Sequence, residues 1–139
     1  MDIKKLFMGG IVGGILYFGL GYLIYGNLLM HFFSTHPGSI GKVDREAPDF
    51  LYLIIGNLAM GFLLAYIFLK GNVNSMAGGF VTGGIVGLLV TVGFDCIIYA
   101  TTNVISKTGM AVDVAAATVM TAIVGAVVAA VMGMGKKTP

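Results

Sequence analysis

The sequence predicts an all-α polytopic membrane protein in which four transmembrane helices form a compact, glycine-rich bundle. The chain of 139 residues is 58% hydrophobic and 10% charged, with a mean hydropathy of +0.97, a composition far from that of a soluble globular domain. It contains four apolar runs, each of about the 20 residues that span roughly 30 Å of hydrocarbon as a helix. None of the runs alternates apolar and polar residues as the strands of a membrane barrel do.

The four runs fix the predicted helices within a single transmembrane domain, residues 1–139. We expect the helices at about 6–30, 50–69, 76–100 and 110–134. A long loop over residues 31–49 joins the first two helices. With four spans, both chain termini lie on the same side of the membrane.

The distribution of basic residues predicts the orientation. The side of the termini collects five of them, Lys4, Lys5, Lys70, Lys136 and Lys137, whereas the opposite side holds three, Lys42, Arg45 and Lys107. Because cytoplasmic loops carry an excess of Lys and Arg, we expect cytoplasmic termini and a location in the bacterial inner (plasma) membrane. The loop over residues 31–49 would then face outward.

Glycine is the second signal in the sequence, with 22 residues, most of them in the first and third spans. In lipid, glycines spaced four apart let helix backbones approach closely. We expect helix packing at Gly10, Gly14, Gly79, Gly83, Gly87 and Gly125. Glycine faces left over after packing within the chain would contact a second copy or another membrane protein.

The two halves of the chain also resemble each other. The segment GGIVGGILYFGLGYLIYG, which begins at Gly9, aligns without gaps on GGIVGLLVTVGFDCIIYA, which begins at Gly83. If the first outer loop is taken as ten residues longer, Gly61 falls on Gly125. Such an alignment indicates two parallel helical hairpins related by an axis along the membrane normal. Chance matches in a chain rich in Gly, Ile and Val are the alternative.

The polar residues of the spans converge on the outer third of the predicted bundle. An acid within a membrane helix is a candidate functional residue, and Asp95 interrupts an apolar stretch. The candidate ligand-binding cluster consists of Asp95, Asp113, Asn57, Asn103, Tyr99, Thr91, Thr102 and Asn27. Asp95 could instead form hydrogen bonds at a helix junction, and Asp113 could favour the first turn of its helix through the macrodipole. If the two acids meet, they would share a proton.

Other chemistry has no support in the sequence. His31 and His36 do not have metal-ligand spacing, no nucleophile elbow, phosphate-binding loop or catalytic triad signature is visible, and no basic patch indicates nucleic-acid binding. We therefore expect neither enzymatic activity nor a cofactor. The only cysteine, Cys96, is expected to be a buried structural thiol.

Two stretches together carry a resemblance to a known group of proteins: GGILYFGLGYLIYG in the first span, and YATTNVISKTGMAVDVAAATVM from the third span into the fourth. They resemble small four-helix bacterial membrane proteins that are grouped as domains of unknown function. The resemblance implies the four-helix fold and makes Asn103 and Asp113 motif positions, but it implies no activity. This chain lacks the Trp that such proteins often carry beside the first Tyr.

Two functions remain open at this stage. The abundance of packing faces favours a structural or accessory subunit of an oligomer or a larger membrane complex. The acids favour a small proton- or cation-coupled transporter or channel that uses Asp95 and Asp113, although few polar residues continue a path through the inner half.

Overall fold

Each long helix begins at a polar side chain that caps it. The computed structural model describes residues 2–41, 45 and 47–134. In it Asp2, Asp49, Ser75 and Ser106 accept hydrogen bonds from backbone N–H groups of the helices that follow them. Such side chains satisfy the free donors of a helix N-terminus. The caps explain why the four long helices begin at these residues.

The helices are α1 (Ile3–Leu23), continued by a π-helical segment (Ile24–Leu28), then α2 (Met30–Thr35), α3 (Phe50–Lys70), α4 (Met76–Thr101) and α5 (Lys107–Gly133). Four segments are long and apolar enough to cross a membrane: Ile3–Leu28, Phe50–Lys70, Met76–Thr101 and Lys107–Gly133. The predicted fold class, an all-α bundle of four membrane helices, is confirmed.

The structure differs from the predicted boundaries by more than one residue at four places. The first helix begins at Ile3 rather than at about residue 6. The first span does not continue as one α-helix to residue 30, because it turns into the π-helical segment and ends at Leu28. The predicted loop contains α2. The last helix begins three residues early, because Ser106 caps it. Three of the basic residues used to predict the orientation lie outside the described residues: Lys42, Lys136 and Lys137.

The long helices pack in the order α4, α5, α1, α3, so α5 and α1 are the two inner helices of the bundle. The closest packing joins α4 to α5 and α1 to α3, and α1 also packs along α5, whereas α3 and α4 barely touch. The chain thus forms two antiparallel hairpins that meet through α1 and α5. We call the half of the bundle with the N-terminus and the α3–α4 turn the terminal half, and the half with α2 and the α4–α5 turn the loop half.

The terminal half contains the close-packed core. A cluster of buried apolar side chains fills it: Tyr17, Leu64, Ala65, Phe68, Val124, Val128, Ala129 and Met132. Phe68, Val124 and Val128 are fully buried. Protein interiors pack at the density of organic crystals, and this cluster is such an interior.

Both hairpins cross at a glycine that admits no side chain. A Cβ atom at Gly61 of α3 would fall on the backbone of Gly10 and Gly14 of α1. A Cβ atom at Gly125 of α5 would fall on the backbone of Gly79, and Gly83 is also adjacent. These are the close backbone approaches that small residues permit in membrane helices.

The two crossings do not share the register that the internal alignment predicts. The alignment equates Gly9 with Gly83 and Gly61 with Gly125. Gly61, however, packs at Gly10 and Gly14, whereas Gly125 packs at Gly79 and Gly83, which is about one helical turn closer to the start of its partner helix. The two hairpins are therefore alike in topology and differ in register, and the duplication stays a hypothesis.

Candidate functional site

The π-helical segment at the end of the first span positions Tyr25. Leu29 N–H donates to the Ile24 carbonyl over 2.8 Å, five residues back, so the last turn is wider than an α-helical turn. Such segments are rare and are frequent at functional sites. Here the wider turn accompanies a Tyr25 hydroxyl that reaches across to α5.

The Tyr25 hydroxyl donates a short hydrogen bond of 2.6 Å to the Asp113 carboxylate. Asp113 is half-buried and is the seventh residue of α5. Free backbone N–H groups favour an acid in the first turn of a helix. Because α5 begins at Lys107, Asp113 lies beyond that first turn. The helix-terminus explanation for Asp113 was wrong, and its partner is a side chain of another helix.

Asp95 of α4 lies beside Asp113. The Asp95 side chain is only 7% exposed, and it is within hydrogen-bonding reach of the Asp113 side chain. Its Oδ2 atom is buried without a hydrogen-bond partner among the described residues. Buried polar groups are nearly always hydrogen-bonded, so this orphan oxygen requires an explanation.

A single shared proton explains the pair. Two carboxylates can only accept hydrogen bonds, but a protonated carboxyl can donate one. Unit charges about 4 Å apart repel by about 4 kcal/mol at an effective dielectric constant of about 20. One proton between Asp95 and Asp113 removes this repulsion and gives a buried oxygen a partner. A bound cation would have the same effect.

Asp113 also lines a large cleft in the loop half. The cleft has a volume of about 1230 Å³ and lies among α1, α3 and α5, with residues of α2 and the adjoining loop along its wall. Its lining is mostly apolar and aromatic, and includes Tyr17, Phe18, Tyr22, Phe33, Phe50, Leu53, Ile98 and Met120. A smaller apolar cleft of about 380 Å³ lies next to it between α1 and α3.

A buried hydrogen bond lies between the cleft and the core. The Tyr17 hydroxyl donates to Thr121 Oγ1 over 3.2 Å. Tyr17 lines the cleft and belongs to the buried cluster of the terminal half, while Thr121 packs on Gly83 and Gly87 of α4. This contact marks the level at which the cleft ends and the closely packed half begins.

The loop after α2 is fastened to the α4–α5 turn. Pro37 pairs with Ile105 in an isolated antiparallel bridge, and the Ser106 hydroxyl donates to the His36 carbonyl over 3.0 Å. Gly38 is buried against the backbone of Asn103 and Val104, where a Cβ atom would not fit. These contacts connect the first hairpin to the second above the cleft.

The structure does not bring the other predicted cluster residues to the acids. Asn27 and Thr102 are exposed, and both donate to backbone carbonyls of their own segments. Tyr99 is 38% exposed, and it does not line the cleft. These residues are close to the acids in depth but point to other sides of their helices.

The remaining three polar candidates also lie apart from the pair. Thr91 is half-buried one turn before Asp95 and does not line the cleft. Asn103 contributes its backbone carbonyl, which accepts from Ile40 N–H over 3.4 Å. Asn57 lines the cleft, but its amide donates to the Leu53 carbonyl over 2.8 Å. The eight-residue cluster therefore reduces to Asp95 and Asp113, with Asn57 across the cleft.

The six glycines predicted for packing all contact other helices of the same chain. Gly10 and Gly14 pack on Phe62 and Leu58 of α3, and Gly79, Gly83, Gly87 and Gly125 form the α4–α5 contact. They are all buried and are unavailable to a partner protein.

The prediction for Cys96 was wrong, since its side chain is exposed on the outer surface of α4, next to the buried Asp95.

Tyr25 is the site residue that sequence reasoning missed. Its position near the end of the first span gives it the same depth as the polar candidates, but a tyrosine at the end of a membrane helix is also typical of the interfacial aromatic belt. Only the pairing of α1 with α5 separates the two interpretations.

Among the described residues, no three His, Cys, Asp or Glu side chains come together as a metal site.

Comparison of the chain with protein-family models, with curated proteins and with solved structures finds no match.

Proposed function

We propose that the protein is a small proton- or cation-coupled carrier whose coupling site is the Asp95–Asp113 pair. The observation that supports this function best is the buried Asp95 side chain, whose Oδ2 has no partner among the described residues and which lies beside a second carboxyl group. Intramembrane acids that pair with each other are typical of proton and ion pathways.

The geometry gives each residue of the site a role in the proposal. Asp113 lines the cleft and exchanges the proton or cation with it. Asp95 is buried behind it and shares the proton. Tyr25 donates to Asp113, so the carboxylate keeps one hydrogen bond after the proton leaves.

The packing favours a carrier over a channel. In the terminal half the helices touch at glycine, and apolar side chains fill the space between them. These contacts among the described residues disfavour a continuous aqueous pore. A carrier exposes its site to each side of the membrane in turn, commonly by rocking one repeat or bundle against another. Here the two hairpins meet mainly through α1 and α5, and this contact would be the place of movement.

Two other predictions remain proposals. With cytoplasmic termini in a bacterial inner membrane, the cleft would face outward. A structural or accessory subunit remains the second proposal, but the support that it drew from glycine is weaker, because the six packing glycines contact helices within the chain. A second copy or another membrane protein would have to dock on other surfaces.

Proton flux in liposomes tests the carrier function. Purified protein is reconstituted with a pH-sensitive dye inside, and a pH gradient is imposed with sodium, potassium, tetramethylammonium or the lipophilic cation tetraphenylphosphonium outside. We expect the native protein to dissipate the gradient faster than empty liposomes with at least one of these cations. Asp95→Asn should behave as empty liposomes do, because an amide cannot bind the exchanged proton.

The matched control is Asp49→Asn, the same chemical change at an exposed helix cap, where Asn caps as well as Asp. It should keep the native flux. Native protein that matches empty liposomes with every cation, or an Asp95→Asn variant with native flux, would contradict the proposal.

A further inference from the structure

The cleft in the loop half has the charge of a cation-binding site. Asp113 is the one charged side chain among the described residues that line it, and no Lys or Arg in the described part of the chain does so. A single carboxylate in a mostly apolar and aromatic cavity attracts a positive group and repels an anion. A neutral ligand would leave the carboxylate without a counter-charge.

The walls of the cleft are suited to an organic cation rather than a metal ion. Six aromatic side chains line it: Tyr17, Phe18, Tyr22, Tyr25, Phe33 and Phe50. Tyr25 and Phe33 are stacked with ring centroids 5.9 Å apart. Aromatic faces attract organic cations, whereas a small hydrated metal ion requires several oxygen ligands. Among the described residues, Asp113 is the only carboxylate in the lining.

The size of the cleft indicates a bulky ligand. Pockets for small molecules occupy about 300–1,000 Å³, and this cleft, at about 1230 Å³, is larger still. It ends at the Tyr17–Thr121 hydrogen bond, so an apolar body would lie along the aromatic walls with its charge near Asp113.

We propose that the cleft binds a lipophilic organic monocation, which displaces the proton shared by Asp95 and Asp113. The substrate class rests on the proposed carrier function, because the same pair would hold either the proton or the cation. The proton leaves as the cation arrives, so the charge of the site is unchanged by the exchange.

Binding should then strengthen as the pH rises. The titratable groups that face the pair among the described residues are the two acids and Tyr25, and His36 also lines the cleft. Where the pair retains its proton, exchange of one proton for one cation gives about a tenfold change in affinity per pH unit. His36→Gln should leave this slope unchanged.

Equilibrium dialysis against nanodisc-embedded protein tests the proposal with two ions of equal shape and opposite charge, tetraphenylphosphonium and tetraphenylborate. Empty nanodiscs supply the background from lipid partitioning. We expect saturable binding of tetraphenylphosphonium only. Asp113→Asn should weaken it at least about tenfold, whereas Asp49→Asn should leave it unchanged.

Equal saturable binding of the two ions, or no binding of either, would overturn the proposal, and these results need no variant to fold. Loss of binding in Asp49→Asn would overturn it as well. Different results would refute the proposed substrate class and the proposed carrier function. Native proton flux without tetraphenylphosphonium binding refutes the organic cation alone, whereas saturable cation binding without flux refutes transport and leaves the cleft a cation site.

Discussion

The terminal half and the loop half of the bundle consist of the same four helices, but different contacts hold them together. In the terminal half, glycines bring backbones into contact and apolar side chains fill the core. In the loop half, the same helices separate around a cleft. There the contacts between hairpins are a tyrosine–carboxylate hydrogen bond and a fastened loop, and a pair of acids joins α4 to α5 within the second hairpin.

The difference assigns stability to one half and chemistry to the other. Close packing supplies dispersion and excludes water, and its helix crossings admit no side chain at Gly61 or Gly125. The polar contacts of the loop half are few, and one buried oxygen among its described residues has no partner. A substitution in the terminal half should therefore change stability, whereas one in the loop half should change binding or proton exchange.

The largest expected effect is on the packing of the terminal half. Gly61→Ala places a Cβ atom on the backbone of α1, and we expect the free energy of unfolding to fall by about 1–3 kcal/mol, the usual cost of overpacking. Gly56→Ala on the same helix is the matched control, because nothing lies within 4 Å of its Cβ position. Denaturation in mild detergent, followed by circular dichroism, measures both variants.

The comparison fails if Gly56→Ala destabilises the protein as much as Gly61→Ala does. Equal loss would mean that helix flexibility, rather than backbone contact, is the property that these glycines supply.

The sequence was sufficient for the spans and insufficient for the contacts between them. Length and hydropathy predict four helices because the bilayer has a fixed thickness. Depth alone predicts that Asp95, Asp113 and Tyr25 lie at one level, but it does not distinguish the sides of a helix that face each other. Thus Thr102 and Asn27, at similar depth, bond to their own segments.

The surroundings of Asp113 show why the contacts between helices could not be predicted from the sequence. The seam between α1 and α5 determines whether Tyr25 meets Asp113 or faces lipid, and this seam joins residues 88 positions apart. The widened turn at Ile24–Leu28 has no signature that sequence reasoning detected. Because Ser106 caps α5, the helix begins three residues before the predicted boundary, and Asp113 lies beyond its first turn. Helix boundaries are the least certain part of a sequence-based prediction.

A smaller effect is expected at the fastened loop. Gly38→Ala places a Cβ atom against the Asn103 carbonyl and should release the loop from the α4–α5 turn without unfolding the bundle. If the free energy that holds the loop on the α4–α5 turn falls by about 1 kcal/mol, the fraction of molecules with the loop released rises roughly fivefold. Limited trypsin cleavage at Arg45 should accelerate by that factor, while Ser39→Ala should cleave at the native rate. An unchanged rate in Gly38→Ala would show that the loop docks independently of this contact.

Infrared spectroscopy of the carboxyl groups tests the shared proton most directly. In native protein at neutral pH we expect a protonated carboxyl C=O band, which should disappear in Asp95→Asn, because Asp113 then has no second acid to share with and remains ionised on the Tyr25 hydroxyl. Asp49→Asn should keep the band. A native spectrum without a protonated carboxyl band at neutral pH, or a band that persists in the double variant Asp95→Asn with Asp113→Asn, would contradict the central claim that the loop half holds one proton between two acids.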